Sequence, residues 1–402
     1  MTHEKKKWVT PACDYGLLKK FAYICVVNSV VVCLLYVLLF YEDYSSSLQV
    51  YDFKISNSDI PYVTRFSNMT IPKQKEKTIA VWTSFFKSMS WLSSINSALF
   101  TCPFKCQAVG GNGVFHSDAV LFHYQRYDLQ IANLPKKRNP DQIWVIYILE
   151  PTVYIERNTA ELNGIFNWTM SYRRDSTVFA PYGSFIERQV INDIRPFSKR
   201  KKFAYAVFSR CNDIGKRYRV IKELQKYIDI DIYGSCGSFK CDTKSQGCLS
   251  TNHAQDYLFR FSFENSHCQD YVTEKLWFPL QQGVIPVVNW VRGQEETRVN
   301  TSHMINLYDF RTIKDLADYL KSVAANETLY NSYLTWRKTL DVVTSHFHSF
   351  CGLCRKLHQP VLQRQVYSDL NGWISNDICP KYKFVQKISS WIDRWIFFPI
   401  GL

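Results

Sequence analysis

Residues 263–288, Phe-Glu-Asn-Ser-His-Cys-Gln-Asp-Tyr-Val-Thr-Glu-Lys-Leu-Trp-Phe-Pro-Leu-Gln-Gln-Gly-Val-Ile-Pro-Val-Val, read as the end of a strand, a polar loop, a helix opening at Thr273 and a second buried strand. That strand–helix–strand order belongs to an α/β layered fold. Thr273 suits the N-cap, which puts Glu274 and Lys275 in the first helical turn, at the positive end of the dipole. Glutamate favours that place; lysine there is electrostatically awkward unless an anion meets it. The pair therefore points to a phosphate-bearing ligand.

Phe21 to Phe40 is a 20-residue apolar run, preceded by Lys5, Lys6, Lys7, Lys19 and Lys20 and followed by Glu42 and Asp43. About 20 helical residues cross a bilayer, and the positive-inside rule leaves residues 1–20 cytosolic and residues from 41 onward luminal. A cleaved signal peptide fits less well, because the run exceeds a usual h-region and no small-x-small cleavage site follows it. The expectation is a single-pass type II signal-anchor.

A luminal domain should carry disulfides and glycans. Ten of 13 cysteines follow the anchor: Cys102, Cys106, Cys211, Cys236, Cys241, Cys248, Cys268, Cys351, Cys354 and Cys379. An even number in an oxidising compartment suggests disulfides. Asn68, Asn167, Asn300 and Asn326 each open an Asn-x-Ser/Thr sequon. The net charge of +14 does not indicate nucleic acid, since no DNA or RNA module signature is present. It suits an enzyme for a dianionic nucleotide-sugar, beside a largely solvated basic face.

Residues 41–77 are polar and aperiodic and read as a stem. From 78 to 195 short apolar runs alternate with polar or helical stretches: Ile79–Trp82, Ala119–His123 and Ile143–Leu149 are strand candidates. Arg195-Pro-Phe-Ser-Lys-Arg-Lys-Lys202 divides this half from a second, residues 203–345. There the strands are Phe203–Phe208, Ile228–Tyr233, Leu258–Phe263 and Val284–Val288, and the helices Lys216–Tyr227, Arg311–Ala325 and Leu329–Val343. Two α/β halves with a cleft between them are expected, followed by a C-terminal segment, 346–402.

Three patterns carry chemistry. Asp229-Ile-Asp231 resembles a metal-binding pair, but its aspartates alternate with isoleucines as on a half-wet strand, so metal ligation is not expected. Arg217 opens a helix, where a guanidinium can grip phosphate oxygens in a fork that lysine lacks; with Lys275 it suggests a shared diphosphate. Glu150 closes an apolar strand, the end at which open α/β sheets place their ligands, and suits a general base. A strand-end carboxylate can equally serve a structural hydrogen bond. Cys351-Gly-Leu-Cys354 admits a redox or zinc role; disulfides to Cys102 and Cys106, similarly spaced, are the preferred reading.

The segments Phe263-Glu-Asn-Ser and Asp270-Tyr-Val-Thr-Glu-Lys275 resemble the donor signature of the α1,3-fucosyltransferases. Phe166-Asn-Trp-Thr-Met-Ser-Tyr-Arg-Arg-Asp-Ser176 with Pro181-Tyr-Gly183 is similar to a second block of that family, and the likeness spans roughly residues 78–358. The resemblance implies type II Golgi enzymes that use GDP-fucose, a GT-B fold of two Rossmann-like domains, and no required metal, with divalent-cation stimulation left open. It implies Glu150 as the base that deprotonates the acceptor, Arg217 and Lys275 on the departing GDP, and Asn265, Tyr271 and Glu274 along the nucleotide-sugar, with Glu274 facing the fucose. Transfer would invert the β-linked donor to an α-fucoside.

Two departures stand out. Pro151 follows Glu150 directly where the family usually has Glu-Ser-Pro, and residues 360–402, rich in Trp373, Trp391, Trp395 and Phe397-Phe398, pass the usual C-terminus. The run Tyr233-Gly-Ser-Cys-Gly-Ser-Phe-Lys-Cys241 with Cys248 and Cys268 resembles the branch that fucosylates the innermost GlcNAc of N-glycans. Fucosylation of an antenna GlcNAc and an inactive glycan-binding paralogue remain the alternatives.

Overall fold

Strands form first where β-branched and aromatic residues run without interruption. The computed structural model describes residues 75–125, 129, 131–155, 159–188, 195–213, 215–241, 248–290, 301–375 and 379. In it β1 (Lys77–Val81), β2 (Cys106–Val109), β3 (Ala119–His123), β4 (Ile143–Ile148), β5 (Trp168–Ser171) and β6 (Val178–Phe179) make a sheet in the order β2-β1-β3-β4-β5-β6. Every pairing in it is parallel. β3 and β4 are buried at every position, which is why they read as unbroken apolar runs rather than alternating ones.

A second parallel sheet has the order β12-β11-β10-β8-β9, built from β8 (Lys202–Val207), β9 (Ile230–Tyr233), β10 (Tyr257–Phe261), β11 (Ile285–Val288) and β12 (Ile305–Asn306). Between β8 and β9 runs α2 (Arg217–Leu224), and between β10 and β11 runs α3 (Glu274–Gln282). The first sheet is covered by α1 (Trp91–Phe100), whose Trp91, Ile95 and Leu99 enter its core. The second sheet receives α4 (Ile313–Ala324), which Thr312 and Asp315 start with a reciprocal capping box. The described residues belong to one compact unit.

One expected helix is absent. Residues 329–343 divide into a short helix, Glu327–Ser332, a single tight turn and β13 (Leu340–Val343). β13 pairs antiparallel with β7 (Ser184–Glu187), Val342 opposite Phe185. Tertiary pairing of Leu340-Asp-Val-Val343 overrides local helical preference, as strand-forming residues do when a partner edge is available.

The C-terminal segment returns to the first sheet. α5 (Ser349–Leu357) places Phe350, Leu353, Cys354 and Leu357 in the core on one face, and α6 (Leu370–Ser375) places Leu370 and Ile374 on the other. Residues from 360 to 375 thus pack on the domain; Trp391, Trp395 and Phe397-Phe398 lie outside the described residues. Disulfides Cys102–Cys351 and Cys106–Cys354 close loops of 249 and 248 residues in separation. They match the expected tie between the two Cys-x-x-Cys-like pairs. His358 lies beside Cys106 and Cys354, but both sulfurs are bonded to each other, which excludes them as zinc or dithiol groups.

Three more bonds join Cys211–Cys236, Cys241–Cys248 and Cys268–Cys379. Among the described residues, all ten cysteines that follow the anchor are thus paired. The anchor at 21–40, Asn68 and Asn300 lie outside the described residues; among these, no helix is long and apolar enough to cross a membrane.

Asn167 corrects the sequon reading. It is buried, its Oδ1 accepts from the Trp144 amide at 2.8 Å and from Arg138, and its Nδ2 donates to the Arg364 carbonyl at 2.5 Å. The nitrogen that a glycan would occupy is enclosed by protein. Asn326 is exposed and caps the helix at Glu327, accepting from the Leu329 amide at 3.0 Å.

Candidate active site

Parallel strands put the carboxyl ends of a sheet's strands on one edge, and the singled-out residues stand at those edges of the two sheets. Glu150 follows β4, Arg210 and Asp213 follow β8, Glu264 and Asn265 follow β10, and Glu274 and Lys275 open α3. Because β8 pairs directly with β10, the helices they feed, α2 and α3, bring Arg217 and Lys275 to neighbouring positions. Lys275 feels the Arg217 charge, and Glu150, from the other sheet, feels Lys275, Glu274, Arg210 and Glu264. The two halves meet at these groups.

Thr273 stands at the N-cap, but its hydroxyl caps nothing. It donates to Glu264 Oε1 and Oε2 at 2.9 Å, and its amide donates to Oε1 at 2.8 Å. Lys275 Nζ reaches Thr273 Oγ1 at 2.7 Å, Glu264 Oε2 at 3.2 Å and Glu274 Oε1 at 3.1 Å. The awkward lysine is thus met by two carboxylates of its own chain. Burial alone would lower its pKa, but Glu264 and Glu274 raise it above the usual lysine value.

Burial pushes the Glu264 carboxyl up, against the pull of Lys275. Burial would also raise Glu274, yet the Lys275 ammonium and its hydrogen bond bring that carboxyl below its usual value. Glu150 goes the other way from Glu274: burial raises it and Lys275 only partly offsets this.

Arg217 differs from the expected phosphate fork. It is buried, with Nε donating to Asp213 Oδ2 at 2.5 Å and Nη1 to the Phe263 carbonyl at 3.1 Å. A guanidinium held by a carboxylate and a carbonyl supports the loop after β10 as well as presenting charge. The Asn265 carbonyl accepts from the Gly215 amide at 3.0 Å and from Tyr154 Oη at 3.1 Å, joining both halves. A Cβ on Gly215 would come within 2.9 Å of the Glu264 carbonyl, so only glycine lets this loop approach.

Tyr271 is buried, edge-on to Tyr172 at 5.0 Å and to Tyr182 at 6.3 Å. Tyr182 Oη donates to the Leu149 carbonyl at 2.7 Å, next to Glu150. Arg174 pairs with Asp270, the amide donating to Oδ2 at 3.1 Å. The two sequence blocks, 166–183 and 263–275, are therefore physically adjoined. Gly183 belongs to that contact, since a Cβ there would lie 2.3 Å from the Trp277 ring.

Asp231 accepts from Lys202 Nζ at 2.9 Å and from Tyr257 Oη at 2.6 Å, an ordinary strand-edge role. Sequence reading passed over Glu264, Asp213 and Arg210. Glu264 carried the same signal as Glu150, a carboxylate closing an apolar strand.

Family models cover the chain in two parts: "Fucosyltransferase, N-terminal" over residues 74–183 and "Glycosyltransferase family 10 (fucosyltransferase) C-term" over residues 197–373. α-(1,3)-Fucosyltransferase C of Drosophila melanogaster is 31% identical over 339 residues, 75% of this chain and 79% of that protein. The chain belongs to glycosyltransferase family 10. As a member it is an α1,3-fucosyltransferase. Glycoprotein 3-α-L-fucosyltransferase A of Drosophila melanogaster is 32% identical over 68% of this chain and 55% of its own length; human α-(1,3)-fucosyltransferase 7 is 34% identical over 64% and 74%. A crystal structure of an α1,3-fucosyltransferase with GDP-fucose overlays 76% of this chain and 97% of its own, with TM-score 0.47 and 15% identity. In this fucosyltransferase the matched segments meet at Glu150 and Lys275.

Proposed function

We propose that this fucosyltransferase moves L-fucose from GDP-β-L-fucose to O3 of the innermost Asn-linked GlcNAc of N-glycans, with inversion. The observation that carries the reading is Glu150, a carboxylate of raised pKa from one sheet, set opposite the Lys275–Glu264–Glu274 cluster and Arg217 of the other. Glu150 takes the proton of the acceptor hydroxyl, contributing about 10²–10⁴ in rate. Lys275, with Arg217 behind it, meets the charge that develops on the departing diphosphate; one preorganised donor of this kind is worth about 2.7–4 kcal/mol. Glu274 faces the fucose, and Asn265 and Tyr271 line the nucleotide-sugar.

The two sheets correspond to the two Rossmann-like domains of a GT-B enzyme, 78–195 on the acceptor side and 203–345 on the donor side, and no metal is required. The apolar run at 21–40 anchors the enzyme as a type II Golgi protein, a reading supported by the disulfides of residues 102–379. The choice of the innermost GlcNAc rests on the resemblance of the Cys236, Cys241, Cys248 and Cys268 cluster to that branch.

The test is to incubate the protein with GDP-fucose and a panel of N-glycan acceptors and to locate the fucose by mass spectrometry. Fucose on the innermost GlcNAc is the expected product. Transfer only to a Galβ1,4GlcNAc antenna overturns the acceptor assignment, and donor binding without any transfer overturns the catalytic one.

A further inference from the structure

The family match ends at residue 373, and the chain beyond it returns to the active site. Its approach is anchored on the first half. Tyr367 Oη lies 3.2 Å from Thr169 Oγ1 and 3.0 Å from Thr177 Oγ1, and the Arg173 guanidinium lies 4.0 Å above the Trp373 ring while donating to its carbonyl. Thr159 Oγ1 donates to Asn371 Oδ1 at 2.5 Å, and the Asn371 amide to Asn163 Oδ1 at 2.8 Å. The next residue described after Ser375, Cys379, is bonded to Cys268, inside the loop between β10 and α3. A segment held by one half is therefore joined covalently to the donor loop of the other.

Cys379 also touches the wall that carries Glu150. Its sulfur lies 3.1 Å from Thr152 Oγ1, two residues after Glu150, and it packs in one cluster with Tyr172, Tyr271 and Cys268, with Val153 and Tyr182 against them. Around this bond stand the base turn, the donor loop and the aromatic contact between the halves.

We propose that the Cys268–Cys379 bond is a positioning strap for fucosyl transfer, holding the donor loop in register with the turn that bears Glu150. This rests on Glu150 being the base. Halves that face a cleft move relative to each other, and a misplacement of about 1 Å between reacting groups can cost about 10²-fold in rate. A covalent link from the donor loop to a segment fixed on the opposite half limits that motion and keeps water from Glu150. Lys275, Glu274, Arg210 and Glu264 are the charges that face Glu150 across the cleft.

The experiment compares the full chain with Cys268→Ala/Cys379→Ala and, as control, Cys241→Ala/Cys248→Ala, which removes a bond packed against Tyr233 on β9, an edge strand. Thermal melting, kcat and the pH profile of kcat are measured for each. The strap variant is expected to lose about tenfold in kcat, and its acid limb to move to lower pH as water reaches Glu150. The control is expected to lose melting temperature alone. Equal kcat and equal acid limbs in the two variants overturn the proposal.

Should the strap variant fail to fold, the single replacement Cys379→Ser decides. It opens the bond with the smallest change in side-chain volume and is expected to lower kcat and move the acid limb the same way; an unchanged kcat and profile overturn the strap. Glu150→Gln is run alongside. Full turnover in that variant removes the base reading, while the kcat comparison still reports on the strap.

Discussion

Lys275 holds its ammonium 3.2 Å from Glu264, a carboxylate with 0% exposure. The pair lies at the mouth of the second sheet, where β10 ends and α3 begins, so one ionic contact serves both the helix start and the proposed donor site. This dual use shapes what substitutions there will do.

Lys275→Ala removes the cation nearest the proposed diphosphate and leaves Glu264 buried without its partner. Breaking a buried pair in this way costs about 3–5 kcal/mol of stability. Both turnover and melting temperature are therefore expected to fall. Adding Glu264→Gln removes the stranded charge and should recover part of the melting temperature but none of the turnover. Calorimetry and kinetics on the single and double variants check this; full recovery of turnover in the double variant would contradict the donor role.

Glu150 titrates above an ordinary glutamate because burial raises it. A carboxyl whose folded pKa exceeds its unfolded value contributes stability below the unfolded pKa, and that contribution is lost as pH rises through the folded pKa. Activity follows the opposite course, since the base must be ionised. Turnover should therefore decline as pH falls through the raised Glu150 value, while Glu150→Gln, measured at neutral pH, loses about 10²–10⁴ in kcat with no loss of melting temperature. A Glu150→Gln protein that melts well below the parent would contradict this electrostatic account.

Glycan occupancy separates two sequons that look alike on paper. Asn326 is exposed and Asn167 is enclosed. Peptide mass spectrometry after glycosidase release should find modification at Asn326 and none at Asn167. Asn167→Ala should instead cost stability, about 1–3 kcal/mol, because it strands the Trp144 amide and the Arg364 carbonyl.

The long disulfides should matter in denaturant. Cys102–Cys351 and Cys106–Cys354 join the turn after α1 and the start of β2 to α5 across separations of 249 and 248 residues. Replacing both pairs with alanine is expected to lower unfolding free energy by about 2–5 kcal/mol, read from urea titration. An unchanged midpoint would mean that core packing of Phe350, Leu353 and Leu357 alone holds α5 in place.

Strand and helix alternation and the helix starts at Arg217 and Glu274 were legible in the order of residues, because burial on both faces and capping act over a few positions. So was the placing of Glu150 at the carboxyl end of one sheet and of Arg217 and Lys275 at that end of the other, since parallel strands share a direction. The partners of those residues were not legible. Glu264 meets Lys275 from 11 residues away, Asp213 and the Phe263 carbonyl hold Arg217, and Leu340–Val343 becomes a strand because Ser184–Glu187 lies beside it. Cys268 finds Cys379 across a separation of 111 residues. Local periodicity records which face of an element is buried. Which charge or sulfur meets another depends on contacts that exist only after the chain has packed, and no local pattern encodes them.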